Sequence, residues 1–136
     1  MKNLLNQTHK WLTVYIAIGV FVQMFLAGIW HAEAVATPDA HVFFGLSLLL
    51  ASLLALIAAA VNKLSKQLTR YSAVLFVLIL LQPFLMLARD NGFAYLSAGH
   101  TLNAAFIGAV SGIVVKMVME KQSEKIELEA IEQPVA

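Results

Sequence analysis

Four apolar runs, at about 11–30, 41–61, 72–88 and 94–115, occupy most of the chain and are separated by short polar links. Each is close to the roughly 20 residues that an α-helix needs to cross a ~30 Å hydrocarbon core. With 60% hydrophobic and 12% charged residues, the chain has too little polar surface for a soluble monomer. The links are too short for crossovers, so the predicted fold is all-α, an integral membrane antiparallel four-helix bundle. Residues 1–118 form this bundle, and 119–136 form a polar tail that can extend the fourth helix before Pro134. The first run is read as a retained span, because it is long, contains Gln23, and has no small-x-small cleavage site ahead of a soluble domain.

Charge sets a predicted orientation. Lys2, Lys10, Lys63, Lys66, Arg70, Lys116, Lys121 and Lys125 flank one side of the four spans, with Arg89 alone on the other. The positive-inside rule then puts both termini in the cytoplasm, and His31, His41 and His100 towards the outer side. Trp30 and Tyr95 suit the outer interface, Trp11 and Tyr71 the inner one. The absence of cysteine excludes disulfides, thiolate metal sites, iron–sulfur clusters and covalent c-type haem attachment.

An offset of 59 residues aligns the chain with itself: Gln23 with Gln82, Phe25-Leu26 with Phe84-Leu85, His41 with His100, and Ser52 with Ser111. The bundle is therefore predicted to be a parallel two-fold (2+2) repeat, which sets two histidines at symmetric positions about one axis. A hexacoordinate metal such as a haem iron takes two such axial ligands. Four residues after each histidine stands a small residue, Gly45 or Ala104, leaving a flat recess on the same helix face. An imidazole this near the lipid core is costly unless paired, liganding or hydrated. Hydrogen bonding to loop carbonyls is the plainer use of either histidine alone.

The segments His41-Val-Phe-Phe-Gly45 and His100-Thr-Leu-Asn-Ala104, with Gln23 and Gln82, resemble one half of the heme A synthase bundle and, more loosely, other membrane b-type cytochromes. The chain also looks like a family of small four-helix bacterial membrane proteins. The resemblance covers about residues 11–116 on short motifs, and it implies one non-covalent haem b with His41 and His100 as axial ligands in a bacterial inner membrane. A full heme A synthase has a second bundle, and its outer-loop carboxylate and cysteine elements have no counterpart here.

Gln23 and Gln82 lie roughly 10 Å below the outer helix ends, where they could contact a macrocycle, fix a ligand, line a quinol pocket or bond between helices. Pro83 should kink the third helix there. Arg89 suits a haem propionate, with Asp90 as its competing partner. His31 is read as interfacial and His9 as cytoplasmic without a role. Met24 and Met86 could join His31, His41 and His100 at a copper site, although methionine more often serves as packing material. Thr37 is the predicted N-cap of the second helix, Asn91 or Ser97 that of the fourth, and Ala51, Ala55 and Ala59 offer a small-residue stripe for a homodimer.

Hydrolase triads, zinc-protease helices, phosphate loops and dinucleotide fingerprints are all absent, and the basic rim is no nucleic-acid array. The predicted function is electron transfer by a bis-histidine haem b near the outer face, with quinol or an outer-side redox protein as partner. Haem sensing or carriage would use the same ligands. A non-haem accessory subunit and a copper-binding protein remain alternatives.

Overall fold

The computed structural model describes residues 2–93 and 95–132. It consists of four helices: α1 (Lys2–His31), α2 (Asp39–Val61), α3 (Lys66–Asp90) and α4 (Leu96–Glu132). All four are long and apolar enough to cross a bilayer, and the chain is a multi-pass membrane protein. The helices extend past the apolar runs because a helix satisfies its own backbone hydrogen bonds and has no reason to stop at the lipid boundary. Thus α1 begins well before residue 11, and α4 passes the boundary at 118 unbroken.

Each helix packs on two neighbours, in the order α1–α2–α3–α4 and back to α1, so that α1 faces α3, and α2 faces α4, across the axis. Ile16, Val20, Ala51, Ala55, Leu75, Ile79 and Ile107 make the core. The Ala51, Ala55 and Ala59 stripe is inside it, each residue almost fully buried, and not on the lipid face where a homodimer would need it. Small side chains on α2 are used up within the bundle, letting its own neighbours approach. Phe21, Phe25, Phe43 and Leu50 cover the outside, as lipid requires.

The repeat governs the structure in detail. Buried Ile16, Val20, Leu48, Ser52 and Ala55 recur 59 positions on as buried Leu75, Ile79, Ile107, Ser111 and Val114. Ser52 donates to the Leu49 carbonyl and Ser111 to the Gly108 carbonyl, again at matched positions. The helix ends match too. Glu33 and Gly92 both take positive φ, 58° and 97°, with Ala34 N–H donating to the Ile29 carbonyl and Phe93 N–H to that of Ala88. This is the left-handed C-cap, in which one residue turns the chain and the next closes the last carbonyls. Glycine accepts that turn freely; Glu33 does so against its Cβ.

Two caps differ from expectation. Pro38, not Thr37, is the N-cap of α2, and the Thr37 hydroxyl is spent on the Asp39 carboxylate at 2.8 Å. The Asn91 amide donates to the Leu87 carbonyl at 2.7 Å and so closes α3 in place of opening α4.

Candidate cofactor site on the bundle axis

His41 is the third residue of α2 and His100 the fifth of α4, on the two helices that oppose each other across the axis. Their rings meet there, with centroids 6.2 Å apart and planes inclined by 57°. Both are half-buried. His41 Nδ1 lies 3.3 Å from the Gln23 carbonyl, and His100 Nδ1 lies 3.4 Å from the Gln82 carbonyl. A carbonyl only accepts, so Nδ1 carries the proton in both rings and the lone pair of each imidazole is left on Nε2. Gln23 and Gln82 stand eight residues before the last residues of α1 and α3, roughly 12 Å down at helical rise. The histidine pair therefore sits within a collar formed by the ends of α1 and α3.

The separation suits one ion. A metal–imidazole bond of about 2 Å and about 1 Å from nitrogen to ring centre, counted on both sides, puts the centroids about 6 Å apart. The backbone carbonyls supply the hydrogen bond that a ligating histidine needs at its other nitrogen, fixing tautomer and orientation.

Gln23 and Gln82 thus act first through their backbones. Their side-chain oxygens, both buried, have no hydrogen-bond partner. An unpaired acceptor of this kind costs about 1–3 kcal/mol, and having two at matched positions makes this level the least satisfied of the described interior. The recess expected beside Gly45 is filled: a Cβ built there would come within 2.5 Å of Gln23 Nε2, so the missing side chain seats the amide of Gln23. A macrocycle edge at this level requires that amide to turn away.

Other predicted residues are not gathered here. His31 is exposed and packs on the neighbouring Trp30 ring at 4.9 Å. Met24 faces outward at 62% exposure. Among the described residues no three histidine or acidic side chains converge on a metal position, so the copper site built on His31, His41 and His100 is not assembled. Arg89 falls in the last turn of α3, and its side chain lies outside the described residues.

Two polar side chains matter that sequence reasoning passed over. His9 is 1% exposed, and its Nε2 lies 3.0 Å from the Ser72 hydroxyl on the opposing helix, so it is not without a role. Its position two residues before the first apolar run hid it. Asn103, buried on α4, donates to the Leu78 carbonyl on α3 at 2.7 Å. An amide three residues after His100 inside an apolar run was the available signal, since a polar group at that depth must find a partner.

No family model, curated protein or solved structure matches the chain. The likeness to a heme A synthase half therefore rests on the residues quoted for it.

Proposed function

We propose that this protein is a small membrane b-type cytochrome, holding one haem b between His41 and His100. The observation that carries the reading is the pair itself: two imidazoles from opposed helices, ring centres 6.2 Å apart, each with Nδ1 tied to a carbonyl and Nε2 open. His41 and His100 would hold the haem, which would supply a one-electron ferrous/ferric couple.

The chain's own residues supply the rest. The Gln23 and Gln82 carbonyls hold the two rings in the liganding tautomer before any cofactor enters, which lowers the ordering cost of binding. Ile79, Val20 and Ile107 close the interior beneath and keep water from the axis. Gln23 and Gln82 Oε1 offer acceptors beside the site for a hydroxyl donor such as quinol, and Arg89 suits a propionate. By the positive-inside rule the basic end faces the cytoplasm of a bacterial inner membrane, so the histidines lie near the outer face. With one centre on one side, electrons pass between membrane quinol and an outer-side redox protein.

The test is an oxidised and dithionite-reduced absorption spectrum of the detergent-purified protein beside His41→Ala and His100→Ala. Sharp reduced α and β bands at near-stoichiometric haem, lost in both variants, are expected. A colourless protein expressed with ample haem would overturn the reading in favour of an accessory subunit.

A further inference from the structure

At the opposite end of the bundle, α3 opens with features that no part of the haem reading uses. Ser65 precedes the helix, its hydroxyl receiving the Leu68 N–H at 3.3 Å and its carbonyl the Thr69 N–H at 3.0 Å. Lys66 and Arg70 follow one turn apart, on the same face. Both are exposed, and neither has an ion pair among the described residues. With Gln67, Tyr71 and Val74 they form one strip along the flank of α3. The positive end of the α3 dipole lies at the same place and adds to the potential of the two cations.

The lining changes character along the helix. Beyond Arg70 comes the half-buried Tyr71, suited to the headgroup level, and then Val74, Val77 and Leu81 run outward-facing down α3. A cationic patch leading onto an apolar track has the polarity of one phospholipid molecule standing beside a helix. The adjoining cleft, lined by Gln67, Met117, Glu120, Lys121 and Glu124, is acidic on balance, and Glu120 is held by Lys116 at 3.7 Å. Those carboxylates disfavour an anion between α3 and α4 and leave the Lys66/Arg70 face as the place for one.

We infer that this face at the start of α3 binds the phosphodiester headgroup of an anionic phospholipid, with the acyl chains lying along Val74, Val77 and Leu81. Lys66 and Arg70 contact the phosphate, Arg70 through its planar fork, and Gln67 supplies an amide donor. Nothing in this inference depends on haem.

Native mass spectrometry tests it on the full chain released from detergent with equimolar phosphatidylglycerol and phosphatidylcholine. The wild type should retain phosphatidylglycerol in preference, and the double variant Lys66→Gln/Arg70→Gln should lose that preference by roughly tenfold or more, since each basic residue near an anionic surface contributes about 1 kcal/mol. Lys121→Gln, on the acidic cleft, should leave it unchanged. Equal retention of the two lipids by the wild type, or a preference that survives in the double variant, would overturn the assignment. So would displacement of the lipid by millimolar inorganic phosphate, which would make the Lys66/Arg70 patch a site for free phosphate. The haem spectrum, recorded on the same samples, fails or holds separately.

Discussion

The two halves of the bundle, α1–α2 and α3–α4, agree wherever they meet on the axis near His41 and His100, and diverge at the other end. Near the histidines four features are doubled: the rings, the carbonyls at Gln23 and Gln82 that hold them, the orphan amide oxygens, and the helix ends turned at Glu33 and Gly92. At the basic end the counterpart of His9 is Leu68, and His9 bonds instead to Ser72, the counterpart of Thr13. A ligand on a two-fold axis asks for identical partners, so symmetry is useful there. A hydrogen bond between two side chains has no need of the axis, and His9 and Ser72 pair from non-equivalent positions, so at the basic end the repeat departs from itself.

This contrast can be broken most severely at the histidines. On the proposed haem reading, His41→Ala and His100→Ala should each lower bound haem at least tenfold, and by similar amounts, because each would remove half of a symmetric ligand pair; haem content per protein measures it. Markedly unequal losses would show that one histidine ligates alone. At the other end, His9→Leu should destabilise the bundle by about 1–3 kcal/mol in a denaturant titration in detergent, since it enlarges a close contact and strands the Ser72 hydroxyl. His9→Leu with Ser72→Ala should recover part of this, and the cycle should give a coupling of about 1 kcal/mol. Haem binding, if the ends are independent, should survive both.

Smaller effects sharpen the match between halves. Gln23→Met and Gln82→Met each remove a buried acceptor without a partner and should raise the haem-free stability by about 1 kcal/mol, read from the unfolding midpoint. Glu33→Gly copies Gly92 into the first half and should stabilise by up to about 1 kcal/mol, by relieving a left-handed turn that a Cβ opposes. Gly45→Ala copies Ala104; the new Cβ meets only the mobile end of Gln23, so a change below about 1 kcal/mol is expected with the Gln23 amide displaced. A larger loss would mean that the amide is held where it sits.

Much of this was open to reading along the chain. Apolar run length alone determined four spanning helices, because hydrocarbon leaves the backbone no other partner than itself. The 59-residue offset determined that His41 and His100 are equivalent, and equivalent residues in a parallel repeat are related by a common axis. Tertiary structure decided everything that depends on which face of a helix turns inward. Ala51, Ala55 and Ala59 read equally well as an outer stripe, and α2 buries them. Gly45 read as open space, yet Gln23 arrives from α1 to fill it. The polarity of the imidazoles was settled by carbonyls 18 residues upstream, and His9 acquired its partner 63 residues away. Hydropathy is a property of a segment and survives any rotation of the helix about its axis; a hydrogen bond is a property of two atoms, and only packing fixes the rotation that brings them together.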